Sequence, residues 1–263
     1  MPIQDLSGKV FLLITGASRG IGKQIALSFG SVLEKDSHVM LLATNLNALK
    51  ETAKNIPSNI SVDTVSIDLG KATEHELHDV IIQTLKNKPA AQFDRVVIVH
   101  NVGTMGDITK KTNEMTDINN WRNYYDLNVF GPAILNGVIM KIFNETPSAK
   151  KTVINITSLL GLQPRKSFGY YSSGKAAREI FFKVFALENP EVNVLNYSPG
   201  PVETDMYYQV CTETSDKEVQ SSFNDLLVKR AVLTCEQTVN RLLKVLENRK
   251  YKSGDHVDYY DEL

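Results

Sequence analysis

The chain has 263 residues, 42% of them apolar and 22% charged, with a formal net charge of -1. That balance affords a substantial core and excludes both a disordered chain and a protein whose field would draw nucleic acid. Cys211 and Cys235 are too few for a disulfide framework, and neither they nor the five histidines show metal-ligand spacing, so no metal is expected. The opening Met1-Pro2-Ile3-Gln4 carries no basic-then-apolar signal, and nowhere do about 18 apolar residues run together, so a cytoplasmic chain with no membrane partner is expected. Tyr260-Asp261-Glu262-Leu263 looks like a retrieval signal for the endoplasmic reticulum, but such an address serves only a chain that has entered the secretory path.

Short apolar, β-branched runs alternate with longer amphipathic segments, the pattern of βαβ units and a parallel sheet. Strands are expected near 9–14, 38–43, 60–67, 94–99, 151–156 and 191–197, and helices over 20–34, 46–55, 73–87, 118–143 and 170–188. Val10-Phe11-Leu12-Leu13-Ile14 and Val96-Val97-Ile98-Val99 are apolar without alternation, as strands covered on both faces should be. After Pro199-Gly200-Pro201 the pattern loosens around 211–218 into a polar excursion flanked by short helical patterns. A last helix near 235–248 and the run Gly254–Tyr259, read as an edge strand and tail, finish the chain. The fold class is therefore α/β, a single-domain Rossmann-like doubly wound parallel sheet with helices on both faces. Its nucleotide-binding part spans about 1–150 and its substrate and C-terminal part about 151–263.

Gly16, Gly20 and Gly22 fall between the first strand and the first helix, where glycine permits a tight turn and lets a pyrophosphate approach helix N-terminal amides. Their G-x-x-x-G-x-G spacing departs from G-x-G-x-x-G but keeps the strand-turn-helix context. Sites that prefer NAD usually carry an acid at the end of the second strand; here that position reads Ala43-Thr44-Asn45. With Arg19 in the glycine turn offering a guanidinium to phosphate oxygens, the expected cofactor is NADP(H). Asp68, after the third strand, either holds the adenine amino group or caps the helix that begins near Thr73.

Tyr171 and Lys175 lie four residues apart on an expected helix and so share a face, whereas Tyr170 points away. A phenol keeps its proton to about pH 10 in water, so a nearby cation is needed before it can exchange protons at neutral pH. Lys175 is the expected source.

The Thr15-to-Gly22 turn, Asn101-Val102-Gly103, Asn128, Ser158, Tyr171-x-x-x-Lys175 and Pro199-Gly200 together closely resemble the short-chain dehydrogenase/reductase family, in its order and over nearly the whole chain. Ser158 precedes Tyr171 by thirteen residues. His100 and Val102 depart from the family's usual Asn-Asn-Ala-Gly. The resemblance implies that Tyr171 protonates a carbonyl oxygen, Ser158 hydrogen-bonds the same oxygen, Lys175 tunes Tyr171 and binds the cofactor ribose, and Asn128 holds a water relay. It further implies cofactor contacts from Ser18, Ile21, Thr44, Asn45, Asp68, Leu69, Asn101, Gly103, Pro199, Gly200, Val202 and Thr204, besides the glycine turn, Tyr171 and Lys175.

Within the family, Ser198–Met206 and the tail Lys252–Asp261 are similar to the branch that reduces pterin side-chain ketones. The tail position corresponding to that branch's pterin anchor is Asp258, with Leu159 and Met206 as apolar neighbours of the substrate. A carboxylate suits the adjacent amide and amino donors of a pterin ring. The expected activity is thus NADPH-dependent reduction of such ketones in tetrahydrobiopterin synthesis, with a pterin or dicarbonyl as small-molecule partner and, by family habit around Trp121, Tyr124 and Tyr125, a homodimer. A broad carbonyl or diketone reductase is the alternative enzyme, and a non-catalytic NADP(H)-binding sensor or scaffold the alternative of another class.

Overall fold

In the computed structural model, which describes residues 3–86, 89–144 and 149–262, the apolar runs become strands buried from both sides. β1 (Val10–Thr15), β2 (His38–Ala43), β4 (Arg95–His100), β5 (Lys150–Ile156) and β6 (Val192–Ser198) form the interior of one sheet. The more exposed β3 (Ser61–Ser66) and the short β7 (His256–Asp258) close its edges. The strands are parallel, in the order β3-β2-β1-β4-β5-β6-β7. From β1 the chain winds one way to β3 and from β4 the other way to β7. A crevice therefore opens at the carboxyl ends of β1 and β4, where doubly wound sheets bind ligands.

Successive strand residues serve opposite faces. Leu12, Ile14, Val39 and Leu41 pack against Ile25 and Phe29 of α1 (Gly20–Gly30), Leu49 of α2 (Leu46–Ala53) and Leu242 and Leu246 of α9 (Cys235–Asn248). Phe11, Leu13, Met40 and Ile98 instead meet α3 (Glu74–Leu85), α5 (Gly131–Asn144) and Phe182 of α6 (Gly169–Glu188). Each such side chain contributes about 1.5–3 kcal/mol on burial, which offsets the entropy lost in ordering the chain.

The strands fall within a residue or so of expectation, and several helix ends have identifiable causes. α1 stops at Gly30, short of residue 34, and Glu34 accepts a hydrogen bond from the Gly8 amide (2.7 Å). α3 is started by a capping box between Thr73 and Glu76, so Asp68 is not its cap. The segment expected as one helix over 118–143 is α4 (Ile118–Tyr125), a π turn over Asp126–Phe130, and α5. Together they form a helical run of 27 residues that is long and apolar enough to cross a bilayer. Leu135, Ile139 and Phe143 are nevertheless fully buried in the protein core, as expected of a core helix. The excursion after Pro201 contains α7 (Asp205–Glu213) and α8 (Lys217–Val228). Asn87, Leu263 of the terminal four, and Met1 and Pro2 lie outside the described residues.

Candidate active site

A cavity of about 570 Å³ opens at the crevice, lined by Gly16, Ser18, Arg19, Gly20, Ile21, Thr44, Asp68, Leu69, Asn101, Gly103, Thr204 and Met206 among others. Gly16 has a left-handed backbone (φ +67°), and a Cβ on Gly22 would run into the Gly16 carbonyl oxygen and Asn101 Nδ2. No side chain caps the start of α1, so its first amides remain available to an anion. The opposite wall is stitched to β1: Thr15 Oγ1 accepts from the Asn101 and Val102 amides (3.0 Å each), and Asn101 Nδ2 donates to the Thr15 carbonyl (3.0 Å). Thr15 lies within the recognised turn, yet its role as the tie between the two loops was not anticipated.

These residues fit a dinucleotide. No carboxylate stands at the end of β2, where Thr44 lines the cavity; Asn45 is occupied in capping α2 by accepting from Ala48 N (3.0 Å). Asp68 lines the cavity while accepting from Gly70 N (3.0 Å). The exposed Arg19 guanidinium pairs with Asp205 at the start of α7, a partner that sequence reading missed. Thr204 caps α7 through Tyr207 N (3.3 Å). Gly22, Asn45, Tyr171, Lys175, Pro199, Gly200 and Val202 are not among the cavity-lining residues; Val202 is buried in a bridge to Leu233.

α6 carries the expected pair. Tyr171 and Lys175 are both buried, and Lys175 Nζ lies 5.5 Å from the Tyr171 ring centroid while donating to the Ile156 carbonyl (2.7 Å). Ser158, at the turn after β5, accepts from Leu160 N (3.2 Å) and stands near enough to the Tyr171 phenol to lower its pKa. Tyr170 turns instead into an aromatic cluster with Trp121 (4.3 Å between centroids) and Tyr124, so the helical spacing separates the two tyrosines as expected. Burial pushes the Tyr171 phenol up, opposed by the Ser158 hydrogen bond and then by the Arg178 charge. Burial holds Lys175 well below the ordinary lysine range, and Arg178 depresses it further.

Asn128 sits in the π turn, where its Oδ1 accepts from Thr104 N (2.8 Å) and its Nδ2 donates to the Tyr124 carbonyl (2.8 Å). π turns recur at functional sites because the extra residue redirects one side chain. Met206 packs with Phe168, Tyr171 and Phe223; Leu160, rather than the 38%-exposed Leu159, joins that apolar group.

The tail reaches the same end of the sheet. β7 pairs Asp258 with Ser198 of β6, whose hydroxyl accepts from Leu159 N (3.0 Å) beside Ser158. Asp258 is 9% exposed, and its Oδ1 accepts from Tyr260 N (3.0 Å). Glu179 holds this tail to α6. Its Oε2 contacts Thr157 Oγ1 and His256 Nδ1 (2.9 Å each), and its Oε1 pairs with Lys183 (2.7 Å). Burial raises the Glu179 pKa, but these partners outweigh it and bring it to about 2. Neither Glu179 nor Arg178 was singled out from sequence, because their partners lie on distant segments.

The sheet order, the glycine cradle at its crevice and the Ser-Tyr-Lys group define an oxidoreductase of the short-chain dehydrogenase class. The chain belongs to that family: the short chain dehydrogenase profile matches residues 10–215. It is 35% identical over 260 residues to sepiapterin reductase of Bos taurus, covering 97% of this chain and 96% of that one. Benzil reductase ((S)-benzoin forming) of Bacillus subtilis is 30% identical over 210 residues, covering 78% of this chain and 79% of that one. Among solved structures, a short chain dehydrogenase/reductase from Saccharomyces cerevisiae superposes with a TM-score of 0.81 at 25% identity, over 97% of each chain.

Proposed function

We propose that this protein is an NADPH-dependent reductase of pterin side-chain ketones, of the kind carried by sepiapterin and 6-pyruvoyl-tetrahydropterin. Its role would then be the closing ketone reductions of tetrahydrobiopterin synthesis in the cytoplasm. The observation that carries the reductase reading is the placement of buried Tyr171 and Lys175 one turn apart on α6, with the Lys175 ammonium 5.5 Å from the Tyr171 ring centroid and Ser158 at the adjoining turn. Arg19 and the glycine turn hold the cofactor phosphates, and the absence of an acid at the end of β2 suits a 2'-phosphate. When bound, the nicotinamide supplies the hydride that adds to the carbonyl carbon. Tyr171 Oη gives its proton to the carbonyl oxygen, and Ser158 stabilises the charge developing there. Lys175 binds the nicotinamide ribose and assists the phenol, while Asn128 anchors a water relay behind it. The apolar group of Met206, Leu160 and Phe223 excludes water from the transfer.

The pterin assignment draws support from the overall likeness to sepiapterin reductases and from the nearly buried Asp258 carboxylate. We assign Asp258 to the pterin's amide and amino donors, with Leu159 and Met206 beside the ring. Residues of about 1–150 then serve mainly the nucleotide and those of about 151–263 the substrate. The likeness to a benzil reductase favours a second reading, broad reduction of dicarbonyls by the same machinery. A comparison of NADPH and NADH oxidation with sepiapterin and with a simple diketone separates the two. Sepiapterin turnover with NADPH preferred, and a Michaelis constant raised about tenfold or more for sepiapterin alone in Asp258→Ala, are expected. Good diketone turnover with no sepiapterin turnover above a buffer blank would sink the pterin assignment. We further propose a homodimer formed through α5 and α6, which leave Ile134, Ile180, Val184 and Leu187 exposed. A monomer mass by light scattering at micromolar concentration would remove that assignment.

A further inference from the structure

Arg178, one helical turn beyond Lys175, heads the fully buried side chains by volume, with 1% of its surface exposed. Its Nε and Nη2 donate to Asn155 Oδ1 (3.0 and 2.6 Å), Nη1 to the Val102 carbonyl (2.8 Å) and Nη2 to the His100 carbonyl (2.7 Å). Asn155 is itself held, donating to Asn196 Oδ1 (2.8 Å). All three acceptors are neutral, and among the described residues no carboxylate forms an ion pair with the guanidinium. Glu179 is the neighbouring residue, but Thr157, His256 and Lys183 occupy its carboxylate. A buried cation balanced only by dipoles costs several kcal/mol, so its field reaches whatever lies beside it with little screening.

Resting on the reading of Tyr171 as proton donor, we propose that Arg178 is a positioning residue. It ties the cofactor loop 100–102 to the helix of Tyr171 and Lys175, and it supplies the fixed positive charge against which Tyr171 releases its proton.

The tie follows from the acceptors. His100 and Val102 flank Asn101, which closes the glycine turn, so one side chain joins the cofactor cradle to the proton-transfer helix. The charge follows from its surroundings. Arg178 stands among the groups that act on Tyr171, Lys175, His100 of β4 and Tyr124 of α4. Burial brings its own pKa down to about 10, which still leaves it charged at neutral pH. Of the groups beside the phenol, Ser158 and Tyr124 are neutral at that pH and Lys175 lies 5.5 Å from its ring, while the neighbouring Glu179 carboxylate is engaged with His256 and Lys183. The guanidinium, buried two turns along the same helix from Tyr171, therefore adds a fixed positive charge to that of Lys175.

Carbonyl reduction needs the protonated phenol, so kcat falls as pH rises through the Tyr171 pKa in the substrate complex. Removing a neighbouring cation destabilises the phenolate and moves that midpoint upward. With NADPH and a simple diketone, Arg178→Gln should raise the midpoint by about one pH unit. Arg178→Lys should keep the wild-type midpoint but raise the Michaelis constant for NADPH about tenfold, because one ammonium cannot span three acceptors. Asn155→Asp sets a carboxylate against the guanidinium without changing side-chain size, and should reproduce the upward shift should Arg178→Gln not fold. An unmoved midpoint in either charge-altering variant overturns the electrostatic role, and an unmoved NADPH constant in Arg178→Lys overturns the tie. Full activity in Tyr171→Phe would instead overturn the reading of Tyr171 on which both roles rest.

Discussion

The two sides of the sheet's carboxyl edge are built differently. Around β1 and β4 the wall is largely backbone: a glycine turn, uncapped helix amides and hydrogen bonds from the Asn101 and Val102 amides to Thr15 Oγ1. Around β5 to β7 it is a set of buried charged side chains, Lys175, Arg178, Glu179 and Asp258. Two of them have partners far off in sequence: Arg178 to His100 spans 78 residues and Glu179 to His256 spans 77. Holding a phosphate requires amides, which every residue but proline carries, so shape suffices. Moving a proton in a dry site requires charges whose desolvation is compensated, and those need distant partners.

That contrast is tested most severely by a variant that should damage one side alone. Tyr171→Phe is expected to lower kcat by about 10²–10⁴-fold while NADPH affinity, followed by fluorescence titration, stays near wild type. Tyr170→Phe, altering a ring in the Trp121 cluster, should leave turnover nearly intact. If cofactor binding fell as steeply as turnover in Tyr171→Phe, the two sides would not be separable.

A smaller effect probes the backbone side. Arg19→Ala removes the one guanidinium of the glycine turn and should raise the Michaelis constant for NADPH about tenfold, with little change for NADH or in kcat. Equal losses with both cofactors would mean that Arg19 serves the pyrophosphate or the Asp205 contact rather than a 2'-phosphate.

Much of the backbone side was legible in the sequence, for the reason that it is backbone. Gly16 and Gly22 occupy positions where a side chain would be strained or would collide, and the runs that became β1 and β4 are apolar because both faces are covered. Tyr171 could be told from Tyr170 because helical spacing alone assigns them to different sides. The rest was hidden by tertiary context. Asn45, expected as a cofactor contact, instead caps α2 with its side chain, a pairing that its place after β2 does not announce. The π turn carrying Asn128 has no counterpart in hydrophobic periodicity; a Cβ on Gly131 would contact the Leu69 carbonyl, a packing limit that single-helix spacing does not express. Arg178 reads as an ordinary helix charge until Asn155 and two strand-end carbonyls are folded around it.

His100 lies between the two sides, and the smallest predicted effect falls there. Its imidazole is fully buried and tilted against Phe182 (5.0 Å between centroids), with Nε2 3.4 Å from Asn136 Oδ1 and Nδ1 without a hydrogen-bond partner among the described residues. Burial, and next the Arg178 charge, bring its pKa down to about 3 from the ordinary 6.5. Between those values the unfolded chain binds a proton that the folded chain refuses, so this residue's contribution to stability is present above pH 6.5 and is lost as pH falls toward 3. Asn, the family's usual residue at this position, takes up no proton. Lowering pH from 7.5 to 6 should therefore cost wild type about 1 kcal/mol more than it costs His100→Asn, or about 2–4 °C in melting temperature by calorimetry. The void left by the smaller side chain lowers stability similarly at both pH values and cancels in the difference. The His100 carbonyl that receives Arg178 also survives the change, so the two sides stay joined while the titrating group between them is removed. Equal acid sensitivity in the two proteins would mean that His100 accepts its proton in the fold, and the dry, positive surroundings assigned to this end of β4 would then be wrong.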